Sequence, residues 1–281
     1  MGLFVRRGRW LTSFLVLWCS ALTQAADAVD ATRCTLARTE GGVNLWAADG
    51  KPLWKKPYMN RWLGPPSPAQ AAPDCRWAVV LGSSSYREVW VLGADGRPLT
   101  HFAPSGTPQA LAIAHASDGF VVGTASGHLL FGNAAGQIVR DVPRASYVVN
   151  GLAYAPDDSV VLIKNAFLAV GLFTRDGDPA WKREGSYIEV TPSSDWQRFL
   201  IVSQPNHGMS FGEVELVARD GTSLWKETLL DPVVDMEPDG SRISISSAEA
   251  GYGPEYASLQ QSPIVIDRDG KLVSGTPLPD R

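Results

Sequence analysis

The sequence predicts an all-β chain, a six-bladed β-propeller of four-stranded antiparallel blades, and two periodic signals predict it. The first is Leu45-Trp46-Ala47-Ala48-Asp49-Gly50-Lys51-Pro52-Leu53-Trp54, two short apolar runs around an Asp-Gly pair, the strongest local signal for a tight hairpin. The unit returns at Asp95-Gly96, Ala135-Gly136, Asp176-Gly177, Asp220-Gly221 and Asp269-Gly270, with spacings of 46, 40, 41, 44 and 49 residues between the glycines. A period in the forties with four short strands per unit marks a propeller blade. The second signal is a turn between the first and second strands that keeps phase with the hairpins. It reads Ala72-Pro73-Asp74, Ala116-Ser117-Asp118-Gly119, Ala155-Pro156-Asp157-Asp158, Thr191-Pro192-Ser193-Ser194-Asp195 and Glu237-Pro238-Asp239-Gly240. Proline presets one dihedral of such a turn, and glycine or aspartate accepts its left-handed position.

Taken in order, the chain opens on different material. Arg6, Arg7 and Arg9 precede an apolar run from Trp10 to Leu22, followed by Ala25, Ala26 and Ala28. This pattern reads as a secretory signal peptide over residues 1–26, and leaves 27–281 as one propeller domain. A retained membrane anchor is the competing reading, although the run is short for a bilayer span. Trp18 before Cys19 is too bulky for a lipidation signal, and Arg6-Arg7 matches a twin-arginine signal only loosely. The expected location is therefore periplasmic or secreted, with no membrane insertion after leader cleavage.

Loss of the leader removes three of the 25 Lys+Arg and none of the 29 Asp+Glu, so the net charge moves from −4 to about −7. That balance argues against nucleic acid or an anionic membrane as partner. Two of the three cysteines then remain, Cys34 and Cys75. In an oxidising compartment they either bridge or stay as two separate buried thiols.

The first unit begins at its second strand, Arg33–Arg38, and lacks an innermost strand. In the fourth unit all four strands are readable: 147–154, 159–163, 168–174 and 178–181. After the last hairpin, Ser274-Gly275-Thr276-Pro277 echoes Ser105-Gly106-Thr107-Pro108, which leads into the innermost strand of the third blade. Either the tail 276–281 or residues 28–31 would supply the missing strand, because a ring left open exposes unpaired edges.

Strand parity separates the two ends of the ring. Turns after first and third strands share one end and are uniformly tight. Turns after second strands, and the links between blades, share the other. That end carries the long connections Lys55–Pro68, Gly82–Arg87, Gln204–Gly212 and Ser247–Leu259. Long connections on a rigid scaffold are where recognition usually resides. Those here hold Tyr58, Arg61, Trp62, Tyr86, Arg87, His207, Phe211, Tyr252 and Tyr256, and tyrosine, tryptophan and arginine are typical interface anchors. Trp62 stands close to an innermost strand, where a plug between blades is the plainer role.

Catalytic signatures are sparse. His101, His115, His128 and His207 stand singly, without zinc-type spacing, and no Gly-x-Ser-x-Gly elbow or phosphate-cradling loop occurs.

Leu53-Trp54, Leu224-Trp225 and, more loosely, Ala180-Trp181 after their hairpins resemble the Asp-Gly-x-x-Leu-Trp phrase of pyrroloquinoline-quinone-type propeller repeats. The Pro-Asp turns followed by apolar strands resemble WD-repeat propellers. Tryptophan is absent from Leu99-Thr100, Ile138-Val139 and Leu272-Val273. Asn150-Gly151-Leu152-Ala153-Tyr154-Ala155-Pro156-Asp157 resembles a run of calcium-dependent gluconolactonase-like propellers. That resemblance implies a calcium site to which Asn150, Glu189 and Asp235 would contribute, and a lactonase-like hydrolase reaction in the central cavity. The first-blade glutamate motif of that family has no counterpart here.

The expectation drawn from these readings is an exported, non-catalytic propeller without cofactor, binding a protein, peptide or cell-envelope component through its long-loop face. Tyr58, Arg61, Tyr86, Arg87, His207, Tyr252 and Tyr256 are its contact residues. The calcium-dependent hydrolase is the alternative.

Overall fold

The computed structural model describes residues 34–39, 42–47, 49–56, 68–82, 87–143, 148–165, 168–203, 211–230, 232–247 and 264–275. Among them are 23 strands and no helix. Sheet 1 holds β1 (Thr35–Thr39), β2 (Gly42–Trp46) and β3 (Pro52–Lys56), and sheet 2 holds β4 (Ala69–Ala71), β5 (Trp77–Leu81), β6 (Val89–Gly93) and β7 (Pro98–Phe102). Sheet 3 follows with β8 (Pro108–Ile113), β9 (Gly119–Thr124), β10 (His128–Asn133) and β11 (Ile138–Pro143). Sheet 4 has β12 (Val149–Tyr154), β13 (Val160–Asn165), β14 (Ala169–Thr174) and β15 (Pro179–Glu184). Sheet 5 has β16 (Glu189–Pro192), β17 (Arg198–Ser203), β18 (Phe211–Ala218) and β19 (Ser223–Leu230). Sheet 6 closes the list with β20 (Pro232–Met236), β21 (Arg242–Ser247), β22 (Ile264–Asp267) and β23 (Leu272–Ser274). Each sheet is an antiparallel meander in sequence order. Sheet 1 has three strands among the described residues, and both segments expected to complete it lie outside them.

The apolar sequence decides how these sheets assemble. Middle strands such as β5 and β9 are buried at every position, so they read as continuous hydrophobic runs covered on both faces. The covering comes from neighbouring sheets. One buried cluster joins Val43, Leu45 and Trp54 of sheet 1 to Ala78, Val80 and Leu92 of sheet 2. Another joins Trp77 and Val79 to Phe120 and Val122, a third Val121 and Phe131 to Val161 and Phe173. The last two join Leu172 and Trp181 to Phe199 and Ile201, and Leu200 and Leu216 to Ile243 and Ile266. The core is thus a series of layers between consecutive sheets, and no sheet hides its faces alone. Each fully buried Leu, Ile, Val or Phe contributes roughly 1.5–3 kcal/mol.

The third-to-fourth hairpins share one geometry. A register shift falls at Leu45/Trp46, Val91/Leu92, Phe131/Gly132, Leu172/Phe173, Leu216/Val217 and Val265/Ile266. The turn glycines Gly50, Gly96, Gly136, Gly177, Gly221 and Gly270 have φ between +70° and +91°, the left-handed position that glycine adopts without strain. The aspartate supplies an Asx bond, as in Arg97 N–H donating to Asp95 Oδ1 at 2.8 Å.

The first-to-second turns are equally regular, but their phase differs in two units from the sequence expectation. The left-handed residue is Cys75, Ser117, Asp158, Trp196 and Gly240 in turn. Each donates its N–H to the carbonyl three residues back, at Ala72, Ala114, Ala155, Ser193 and Glu237. The third-sheet turn is therefore Ala114–Ser117 rather than 116–119, and the fifth is Ser193–Trp196. Without a Pro-Asp pair to mark them, their phase was ambiguous by two residues.

These turns also tie the sheets together. Ser117 Oγ accepts the N–H of Asp74 at 3.0 Å. Asp158 accepts from the His115 and Ala116 N–H groups at 2.7 and 2.6 Å. Ser194 N–H donates to the Pro238 carbonyl at 2.6 Å. Cys75 makes the corresponding reach covalently, in a disulfide with Cys34 of sheet 1, Cα to Cα 5.7 Å. The open alternative of bridge or separate thiols is thereby resolved as a bridge.

In sheets 1 to 5 the residue four after the hairpin glycine docks on the next sheet. Thr100 lies against Gly136, Trp181 against Gly221 and Trp225 against Gly270. Arg140 donates to the Asp176 carbonyl and to Asp178. Register pairs Leu45 with Trp54, Phe131 with Arg140 and Val265 with Ser274. The tryptophan position in the third and sixth units is consequently Arg140 and Ser274, one residue beyond the Ile138-Val139 and Leu272-Val273 pairs.

Candidate functional site at the axial end

The first strand of each sheet from β4 to β20 ends six residues before its second strand begins, so the channel-side positions can be compared tier by tier. Three residues before the ends stand Pro68, Glu189 and Val233. Gln109 and Asn150 reach the same tier through bulges. Val149 pairs with Asn165 and Gly151 with Lys164, which leaves Asn150 as the extra residue. Pro108 pairs with Thr124 and Ala110 with Gly123, which leaves Gln109 in the same situation. A bulge re-aims the side chain it carries, and both carboxamide residues are exposed. One residue before the strand ends stand Gln70, Thr191 and Asp235, all exposed.

The upper tier borders a cleft of about 250 Å³ lined by Pro68, Gln109, Asn150, Lys164 and an aliphatic floor that includes Leu152 and Leu162. Lys164 is the penultimate residue of β13 and the charged member of the described lining. Its Nζ lies 3.9 Å from Glu189 Oε1. Gly123 lets sheets 3 and 4 close up beside the bulges, because a Cβ there would collide with Val149.

The sequence-predicted residues are placed as follows. Arg87 is exposed at the entry to β6, whereas Phe211, expected in a long connection, opens β18 half-buried and pairs with Leu230. Tyr58, Arg61, Trp62, Tyr86, His207, Tyr252 and Tyr256 lie outside the described residues. Asn150 lines the cleft, Glu189 reaches it through Lys164, and Asp235 stands one tier deeper on β20, two sheets from Asn150. A calcium ion takes six to eight oxygen ligands. The cleft offers it two carboxamide oxygens beside a lysine, a poor match to a hard dication. Among the described residues no group of three or more His, Cys, Asp or Glu is arranged to hold a metal. Two histidines have structural contacts: His101 stacks on Trp90 at 4.6 Å, and His128 Nδ1 lies 2.8 Å from Asp141.

Gln109 and Lys164 were missed by sequence reasoning. A signal for Gln109 existed, since it precedes Gly136 by the same 27 residues that separate Asn150 from Gly177. For Lys164 it was the lone charge ending the apolar run Val160-Val161-Leu162-Ile163.

Comparison with solved structures bears on the fold. Dihydro-heme d1 dehydrogenase NirN in complex with DHE is similar over 87% of this chain and 54% of its own, with a TM-score of 0.53 at 16% identity. The chain is a six-bladed β-propeller. Hydrazine synthase of Kuenenia stuttgartiensis is also similar, over 71% of this chain and 62% of its own, at 14% identity and a TM-score of 0.47. The propeller thus spans 54% and 62% of the length of these two proteins, and at such identities the likeness concerns the fold. No family model and no curated protein matches the chain.

Proposed function

We propose that this propeller is an exported, non-catalytic binding protein that takes a protein, peptide or cell-envelope component on the end bearing the long connections and the axial cleft. The observation that carries this reading is the contrast between the two ends. At the tight-turn end, backbone and side-chain groups are spent on blade-to-blade bonds, from Cys34–Cys75 through Asp158 to Ser194. At the other end, Gln109, Asn150 and Lys164 face a cleft, and Arg87 is exposed at the entry to β6. The disulfide supports a periplasmic or secreted location, since such bridges persist in oxidising compartments.

The contact set is Arg87 with Tyr58, Arg61, Tyr86, His207, Tyr252 and Tyr256, assigned from the sequence. The test is capture of partners from the native envelope fraction by the wild-type chain and by the Tyr252→Ala/Tyr256→Ala and Arg87→Ala variants. Loss of capture at an unchanged melting temperature is the expected result. Undiminished capture by all variants, or equal loss of folding, overturns the assignment.

A further inference from the structure

We propose that the axial cleft binds the carboxylate end of a small aliphatic ligand carrying an amide or hydroxyl next to its acid group. The proposal rests on the reading that this end of the ring is the binding end, and it names the ligand chemistry.

Three features of the lining define that chemistry. Lys164 is the charged lining residue among those described, and its ammonium favours an anionic group. Its contact to Glu189 Oε1 is 3.9 Å, longer than the 2.7–2.9 Å of a charge-assisted hydrogen bond. The ammonium has three donors, and this loose pairing leaves them for an incoming carboxylate. Gln109 and Asn150, turned out by equivalent bulges in adjacent blades, each offer a donor and an acceptor. Two carboxamides facing one cleft complement an amide or hydroxyl, which also donates and accepts.

The remaining lining is aliphatic: Leu111, Leu152, Leu162 and Val190. No aromatic ring is among the described lining residues, so the described lining provides no stacking platform for a nucleobase or sugar. A volume of about 250 Å³ lies below the 300–1,000 Å³ of sites for drug-sized ligands. It suits one residue with a branched side chain. The same chemistry belongs to a peptide's C-terminal residue and to a free acylated or hydroxy acid.

The experiment is calorimetric titration of the full chain with N-acetyl-L-valine, N-acetyl-L-valinamide, isovalerate and acetyl-Ala-Ala-Val with a free C-terminus. The expected result is saturable binding of N-acetyl-L-valine, with the amide at least tenfold weaker. Lys164→Met should weaken N-acetyl-L-valine at least tenfold at an unchanged melting temperature. Gln109→Ala and Asn150→Ala should weaken it more than they weaken isovalerate, which lacks the amide. Tighter binding of the tripeptide identifies a peptide terminus as the source, and equal binding a free acid. Equal affinity for acid and amide, or no saturable binding of either, overturns the proposal. Should Lys164→Met not fold, the acid and amide pair decides alone. Because these titrations need no macromolecular partner, their failure leaves envelope capture standing, and loss of capture leaves them standing.

Discussion

Removing the Cys34–Cys75 bridge separates two sources of ring stability. At the neighbouring turns the same gap between blades is closed by a hydrogen bond to Ser117 Oγ and by two bonds to the Asp158 carboxylate. If the bridge acted only as another such contact, Cys34→Ser/Cys75→Ser would lose about 1 kcal/mol, the net worth of one hydrogen bond. The bridge also closes a loop of 41 residues. On the chain-entropy relation, a loop of that length restricts the unfolded state by about 4 kcal/mol at 25 °C. For a domain of this size, that corresponds to a fall in melting temperature of roughly 8–16 °C. The assay is urea unfolding of wild type and double variant, with the wild type repeated under reductant. Losses near 4 kcal/mol in both comparisons fit loop closure, and a loss below about 1 kcal/mol refutes it.

Three further outcomes follow from the blade-to-blade contacts. Asp158→Gly keeps the positive φ that this position requires but drops two bonds to a carboxylate, and should cost about 3 kcal/mol; an unchanged urea midpoint would contradict the role given to the turn. Trp181→Ala empties the space against Gly221 and Phe199 and frees the Arg219 carbonyl, which accepts from Nε1 at 3.2 Å. A loss of about 3–5 kcal/mol is expected in thermal or urea unfolding. The third outcome concerns pH. Burial by itself would raise the Glu215 carboxyl, but the Arg183 guanidinium, gripping it at 3.0 Å, and Ser223 hold it below the ordinary glutamate value. A carboxyl depressed in the folded state stabilises fully above its unfolded pKa, about 4.3, and that stability is lost as pH falls through the folded value. Asp157, held down chiefly by Ser159 with Arg219 assisting, acts in the same direction. Melting temperature should fall between about pH 5 and 3, and Glu215→Gln should flatten part of that slope; an identical slope in the variant would exclude Glu215 as a contributor.

The blades were legible because their signals are local. An Asp-Gly pair reports its hairpin without reference to the rest of the chain, and the six hairpin glycines sit in the positive-φ turns expected of them. The docking position was less legible. Tryptophan marks it in three units, but Thr100 and Arg140 meet the next hairpin in two others, and register puts the short Ser274 there in the sixth, so no single residue type signals the position. The cleft was hardly legible. It depends on two bulges whose only sequence trace is phase, and on Lys164, which belongs to a second strand rather than a first.

The two ends of the ring differ because the constraints on them differ. At the tight-turn end five residues of unlike chemistry, Cys75, Ser117, Asp158, Trp196 and Gly240, occupy one left-handed position. Four of those residues carry side chains, and left-handed backbone is costly for such residues, so these turns persist where contacts to the preceding blade repay the strain. Cys75 makes a bond, Ser117 and Asp158 accept N–H groups, and Trp196 packs in the layer shared with blade 4. Gly240 needs no such support, and its missing Cβ leaves room for Ser193. A rim committed in this way has little freedom to acquire a ligand without loosening the ring. At the opposite end β8 and β12 hold no left-handed residue, so Gln109 and Asn150 can be bulged outward while the buried layers behind them stay closed. Substitutions at the cleft should therefore change binding with little effect on unfolding, and substitutions at the turn rim should do the reverse.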